Sequence, residues 1–234
     1  MGDGRLLRPA CGVALLISHL HRFIYLKTVK TGGTAVEIYF EVYCGDPAQS
    51  GDIPHFREAG VSAWGVIGTR GAATGAWYNH MPASRIRERM GEADWNDYFK
   101  FCVVRNPFDR VVSQFWFQLE AAAREELRQA DFAAVRKAFA GWSRQLRFPV
   151  DSMIYRIDGQ PGIDYFIRYE RLHEGLEEVC RRLNVPWQPE RLGRYKSGFR
   201  VRPEHFLEYY NSRVTALVRA EFAWELDFGL TEVP

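Results

Sequence analysis

An α/β fold, with a central parallel sheet flanked by helices on both faces, is the class that the order of apolar segments predicts. Three observations carry that prediction. Short β-prone runs alternate with amphipathic, helix-like runs along the chain. Two of these alternations, at 23–40 and 99–115, share one grammar of apolar strand, turn and helix start. The run Phe99 to Val104 is apolar throughout except for Lys100, as expected of a strand covered on both faces. At 234 residues the chain is long enough to bury a substantial core, and it reads as one domain over 1–234.

The elements follow in order. Residues 23–28 read as a strand and 34–43 as a helix. Residues 45–78 are rich in glycine and proline and read as irregular loop with short pieces of structure. Residues 82–91 predict a helix, opened by Pro82 and closed by Gly91. Strand 99–104 ends at Asn106-Pro107, and helix 108–119 follows with Asp109 in its first turn. The stretch 121–146 holds one or two helices. Residues 163–168 predict a strand, 172–183 a helix, and 203–222 a closing helix with Pro203 at its start. There are no internal repeats or low-complexity tracts.

The most informative chemistry lies in the first strand–turn–helix unit. Phe23 to Leu26 leads into Lys30-Thr31-Gly32-Gly33-Thr34, and a helix begins near Ala35. Glycines let backbone N–H groups approach a ligand, and the first N–H groups of a helix have no intrahelical acceptor. Lys30 adds a point charge and the threonines add hydroxyl donors. The expected ligand is a phosphate or a phosphate-like group; the plainer reading is a glycine turn between two core elements. The loop is not a Walker A sequence, because its lysine precedes the glycines, and no dinucleotide fingerprint follows a strand. In the second unit, Arg105 falls at the carboxyl end of the strand and Ser113 about one and a half turns into the helix. Open α/β sheets bind ligands at the carboxyl ends of their strands, which places both residues toward the same crevice. The competing reading pairs Arg105 locally with Asp109.

Together the two units resemble the cofactor signatures of sulfotransferases, particularly the carbohydrate-type enzymes with a Lys-Thr-Gly-Gly-Thr loop. The resemblance implies a P-loop-like sulfotransferase fold. It also implies that Lys30, Thr31, Gly32, Gly33 and Thr34 bind the 5′-phosphosulfate of 3′-phosphoadenosine 5′-phosphosulfate. The second motif, Arg-Asn-Pro-Phe-Asp-Arg-x-x-Ser at 105–113, would bind the 3′-phosphate through Arg105 and Ser113. One departure is Val29, where the family usually has proline. The resemblance runs from about residue 22 to 230, with weaker echoes at 166–172, Tyr209-Tyr210 and 223–228.

Composition narrows the partners. A hydrophobic content of 47% and a charged content of 26% are those of a soluble globular protein. A net charge of +2 argues against a dedicated nucleic-acid binder. The four cysteines, Cys11, Cys44, Cys102 and Cys180, have no paired spacing and read as free thiols. The six histidines show no metal spacing, so no metal is expected. The longest apolar run, Val13 to Ile17, is far short of a membrane span, and a cleaved signal peptide is not expected. These features predict a cytoplasmic enzyme. The resemblance carries the alternative of a Golgi-lumenal catalytic domain with its anchor removed.

Sulfuryl transfer needs the donor held, charge on the leaving phosphate neutralised, and the acceptor proton removed. Lys30 suits the second role. A base that titrates near neutral pH suits the third and points to histidine. His80, just before the Pro82 helix, is the first candidate and His55 the second; a capping or packing role is the plainer reading for His80. Lys196 and Arg200 lie in a basic loop before the last helix; the resemblance implies that they close over the 3′-phosphate, and an ordinary exposed basic loop is the equal alternative. Trp64, Trp77, Trp116 and Phe117 are candidates for an acceptor pocket, and otherwise core. Glu37 and Glu41 read as a solvated helix face. The acceptor, a glycan or a small molecule presenting a hydroxyl or an amine, is not specified by the sequence, nor is the oligomeric state. Against the sulfotransferase reading stand a nucleotide or small-molecule kinase of related fold, disfavoured by the missing Walker A, and a non-catalytic nucleotide binder.

Overall fold

The computed structural model describes residues 15–49, 59–69, 75–144, 151–195, 198–227 and 229. The chain begins with strands β1 (Leu16–Ser18) and β2 (Phe23–Leu26), followed by helix α1 (Gly33–Phe40) and a 3-10 turn at Glu41–Cys44. A short hairpin, β3 (Gly60–Ser62) and β4 (Gly65–Ile67), precedes helices α2 (Ala83–Met90) and α3 (Glu92–Asp97). Then come β5 (Phe99–Val104), α4 (Pro107–Gln118), α5 (Ala121–Gln129), α6 (Phe132–Ser143) and α7 (Ser152–Tyr155). Strands β6 (Arg156–Ile157) and β7 (Gln160–Pro161) form a separate small hairpin. The remaining elements are β8 (Tyr165–Arg168), α8 (Leu172–Arg182), α9 (Ser212–Glu221) and α10 (Ala223–Asp227).

Among the described residues the main sheet has six strands in the order β3-β4-β1-β2-β5-β8. Strands β2, β5 and β8 are parallel, with Leu26 opposite Cys102 and Val104 opposite Arg168. Strands β1, β4 and β3 extend the sheet antiparallel, so it is mixed, and its parallel half is the expected one. Side chains alternate across it. Phe23, Tyr25, Phe101 and Val103 pack with Val36, Tyr39 and Phe40 of α1 and Leu176 and Val179 of α8. Ile24, Leu26, Cys102 and Val104 pack on the other face with Ile86 of α2, Trp95 of α3 and Tyr155. Both faces of β2 and β5 are therefore buried, which explains their continuous apolar runs. A third cluster joins Phe108, Val112, Phe115 and Trp116 of α4 to Phe139 of α6 and Val214 and Val218 of α9.

Several boundaries correct the sequence reading. The stretch 121–146 resolves into α5 and α6 within the described residues, broken at Asp131, whose carboxylate caps the Ala134 N–H. The closing helix does not start at Pro203. His205 and Glu208 form a capping box around a 3-10 turn at Phe206–Tyr209, and Asn211 then caps α9 through the Val214 N–H. Glu37 and Glu41 are not a solvated face: both are fully buried. Lys27, itself 6% exposed, reaches from the end of β2 to Glu37 at 3.4 Å, so the pair neutralises itself beneath α1. Cys44, Cys102 and Cys180 are buried free thiols, while Cys11 lies outside the described residues. Among the described residues no helix is long and apolar enough to cross a membrane.

Candidate active site

Three parallel strands end side by side, and the residues that follow them meet at that edge of the sheet. From β2 comes the loop Lys27 to Gly32, from β5 comes Arg105, and from β8 comes Tyr169. The loop is tied down from below. The Thr28 hydroxyl bonds to the Val103 carbonyl of β5 and lies 2.7 Å from the Thr31 hydroxyl. Thr31 is fully buried, and its hydroxyl is taken up by Thr28. Thr34 is 7% exposed, with its hydroxyl 3.5 Å from the Lys27 ammonium.

Two glycines are required here for different reasons. Gly32 caps α1 with φ +73°, a left-handed conformation that side chains rarely adopt, and a Cβ there would lie 3.1 Å from the Tyr169 ring. A Cβ on Gly33 would lie 2.9 Å from Cγ of Lys27 and 3.1 Å from the Tyr25 hydroxyl. That hydroxyl donates to the Gly33 carbonyl at 3.4 Å, and burial pushes its pKa well above the ordinary tyrosine value, so it stays a neutral donor. The glycines thus let the loop pack closely on Lys27, Tyr25 and Tyr169 as it enters the N-terminus of α1.

Lys30 also has a left-handed backbone, with φ +61°. Its ammonium stands 3.7 Å from the centroid of Phe117 on α4 and 5.8 Å from that of Phe199, which form an edge-to-face pair at 5.1 Å. A cation held over aromatic faces is a modest, easily exchanged contact. Phe117 therefore borders the charge assigned to the chemistry. Trp116 does not line a pocket: it is fully buried and its indole N–H donates to the Tyr209 hydroxyl at 3.2 Å. Trp64 sits between β3 and β4 and is 37% exposed, and Trp77 is half-buried with the Arg89 guanidinium 5.5 Å from its ring centroid.

Arg105 joins the two motifs. Its Nη1 donates to the Lys30 carbonyl at 2.9 Å, and Nε and Nη2 donate to Asp109 at 2.8 and 2.7 Å. Its guanidinium lies 4.3 Å from the centroid of the Tyr169 ring. The local pairing with Asp109 is therefore real, yet it does not keep Arg105 away from the loop. Arg200 reaches the same carboxylate, with Nη1 at 3.0 Å from Asp109. Its Nε is buried and has no acceptor among the described residues. Ser113 stands one turn beyond Asp109 on the same side of α4 and is half-buried. Two arginines, one held by a single shared carboxylate with the other, suit a doubly charged phosphate whose oxygens outnumber those of Asp109. Lys196 and His55 lie outside the described residues.

His80 is brought to the start of the loop. It has a left-handed backbone, φ +58°, and its Nδ1 lies 2.8 Å from the Lys27 carbonyl. A carbonyl only accepts, so Nδ1 carries the proton in this contact. That tautomer leaves Nε2 as the proton-accepting nitrogen. Asp109, Tyr169 and Phe199 were not singled out as site residues from the sequence. Asp109 lies inside the second motif, and Tyr169 follows a third parallel strand, so position at the strand ends was the available signal for both. Phe199 carries none.

The match to known proteins agrees with this geometry. The model of the Sulfotransferase family matches residues 13–206, most of the chain. The chain belongs to the sulfotransferase family. Sulfotransferases move a sulfuryl group between oxygen or nitrogen atoms, so this chain is a transferase of that kind. Over 106 residues, which are 45% of this sulfotransferase and 84% of the other protein, it is 27% identical to an uncharacterized protein of Archaeoglobus fulgidus. No solved structure matches it.

Proposed function

We propose that this sulfotransferase transfers a sulfuryl group from 3′-phosphoadenosine 5′-phosphosulfate to a hydroxyl or amine of a carbohydrate or small-molecule acceptor. The observation that carries the reading is the hydrogen bond from Arg105 to the Lys30 carbonyl: it ties the glycine loop and the second motif together at the ends of parallel strands. The glycine loop at the N-terminus of α1 and the two arginines gathered on Asp109 support a ligand with an anionic group at each end.

In this reading the amides of the loop and of the first turn of α1 would hold the 5′ end, with Lys30 supplying the positive charge beside it. Arg105, Ser113 and Arg200 hold the 3′-phosphate, with Lys196 as a further contact. The donor supplies an activated sulfur–oxygen bond. The acceptor oxygen or nitrogen forms a bond to sulfur as the sulfur–oxygen bond to the phosphate breaks. Lys30 stabilises the charge left on that phosphate. Nε2 of His80 takes the acceptor proton, and its Nδ1–H bond to the Lys27 carbonyl keeps the ring in the tautomer that can do so.

Titration calorimetry with 3′-phosphoadenosine 5′-phosphate and with ATP tests the donor. The proposal expects tight binding of the first and weak binding of the second. Preference for ATP would support a kinase-like reading instead.

A further inference from the structure

Asp151 stands at the N-cap position of α7, where an aspartate ordinarily turns its carboxylate onto the amides of its own helix. It makes no such bond. The amide of Ser152 in α7 is instead met by Glu225 of α10 at 3.2 Å. The Asp151 carboxylate points away from α7, is 2% exposed, and serves two other segments. Its Oδ1 accepts the Val29 N–H at 3.0 Å, one residue before Lys30. Its Oδ2 is ion-paired with Arg110, in the first turn of α4 and one residue beyond Asp109. Arg110 is buried as well, its guanidinium 4.7 Å from the centroid of Phe222.

We infer that Asp151 is a positioning residue that holds the Lys30 loop and the start of α4 in register, so that one nucleotide can engage both. The inference rests on the reading of these segments as the 5′ and 3′ halves of a donor site. One carboxylate bridges, from within the core, a loop and a helix that Arg105 also joins through the Lys30 carbonyl and Asp109. Its two contacts fall within two residues of Lys30 on one side and of Asp109 on the other. Burial pushes the Asp151 carboxyl up to about 6, against the pull of Arg110 and the Val29 N–H. A carboxylate kept at that cost, and not used to cap its own helix, has its effect elsewhere. A ligand that spans both motifs gains from a fixed distance between them, whereas a ligand that uses one motif does not.

The test compares Asp151→Ala with the wild type by calorimetry, using 3′-phosphoadenosine 5′-phosphate and adenosine 5′-phosphosulfate, which lacks the 3′-phosphate. Loss of register is expected to weaken the first by ~10-fold or more and the second by less than ~3-fold. Amide exchange of Val29 and of residues 30–34 should quicken in the variant. If the alanine variant does not fold, Asp151→Asn, which keeps the side-chain shape and breaks the Arg110 pair, is expected to show the same selectivity. Equal losses for both nucleotides, or unchanged binding, would overturn the inference. If the wild type binds neither nucleotide, the donor reading fails and exchange alone decides: faster exchange at 29–34 upholds the clamp, and unchanged exchange removes it.

Discussion

Replacing Arg105 with alanine should damage recognition of one phosphate and spare the other. Arg105 has five N–H donors. Nε and one N–H each of Nη1 and Nη2 are engaged by Asp109 and the Lys30 carbonyl, which leaves two to meet an incoming phosphate. A hydrogen bond to a charged group is worth about 1.5–3 kcal/mol. Two such bonds, less the part that Arg200 replaces at the same carboxylate, give about 3 kcal/mol, or roughly 100-fold in affinity. The fold should persist, because Asp109 remains paired with Arg200 at 3.0 Å. Calorimetry with 3′-phosphoadenosine 5′-phosphate should show that loss, while adenosine 5′-phosphosulfate should weaken by no more than about 3-fold, about 0.7 kcal/mol. Equal losses for both nucleotides would refute the assignment and make Arg105 a strut between the loop and α4.

Four further outcomes are expected. Lys30→Ala should fold normally and lower kcat on the order of 100-fold, the scale of losing one charge-stabilising donor; near-normal turnover in steady-state assays would remove it from the chemistry. With a hydroxyl acceptor, the rate should climb with pH through one ionisation in the histidine range, and His80→Ala should abolish that climb without altering donor binding; a climb that survives, but vanishes in His55→Ala, would transfer the role. Gly33→Ala should destabilise by about 1–3 kcal/mol by thermal unfolding, because its Cβ would press on Lys27 and Tyr25, and an unchanged Tm would contradict the packing described. Asp151 binds its proton more tightly folded than unfolded, so its contribution to stability should fall as pH rises from 3.8 to about 6, by about 3 kcal/mol at most; denaturant unfolding should show that slope in the wild type relative to Asp151→Asn, and parallel curves would argue against a raised carboxyl.

What the sequence disclosed depended on how local the cause was. Strand β5 could be read from its first residue to its last, because six residues covered on both faces leave a continuous apolar run ending at Asn106-Pro107. Helix α2 was legible from Pro82 and Gly91, which cap it as expected. Strands β1, β3 and β4 are three residues each, too short for any periodicity to show, and β3 is wholly exposed. The burial of Glu37 was hidden because its partner, Lys27, comes from a different element. The site divides in the same way. The glycine loop and Arg105 sit in contiguous motifs and could be named as candidates from the sequence alone. Asp151 is 122 residues from Val29 and 41 from Arg110, and only folding brings the three together. Phe199 meets Lys30 through a loop with no regular pattern of its own.

The most direct test of the central claim is a transfer assay with the phosphosulfate donor over a panel of glycan, alcohol and amine acceptors. The readout is acceptor-dependent release of 3′-phosphoadenosine 5′-phosphate, followed beside the Lys30→Ala and Arg105→Ala variants. The account predicts sulfated product with at least one acceptor class, strongly reduced in Lys30→Ala at saturating donor and recovered by higher donor concentration in Arg105→Ala. Turnover with any acceptor that is equal in the wild type and in Lys30→Ala would contradict it, as would phosphoryl transfer from ATP by the same site.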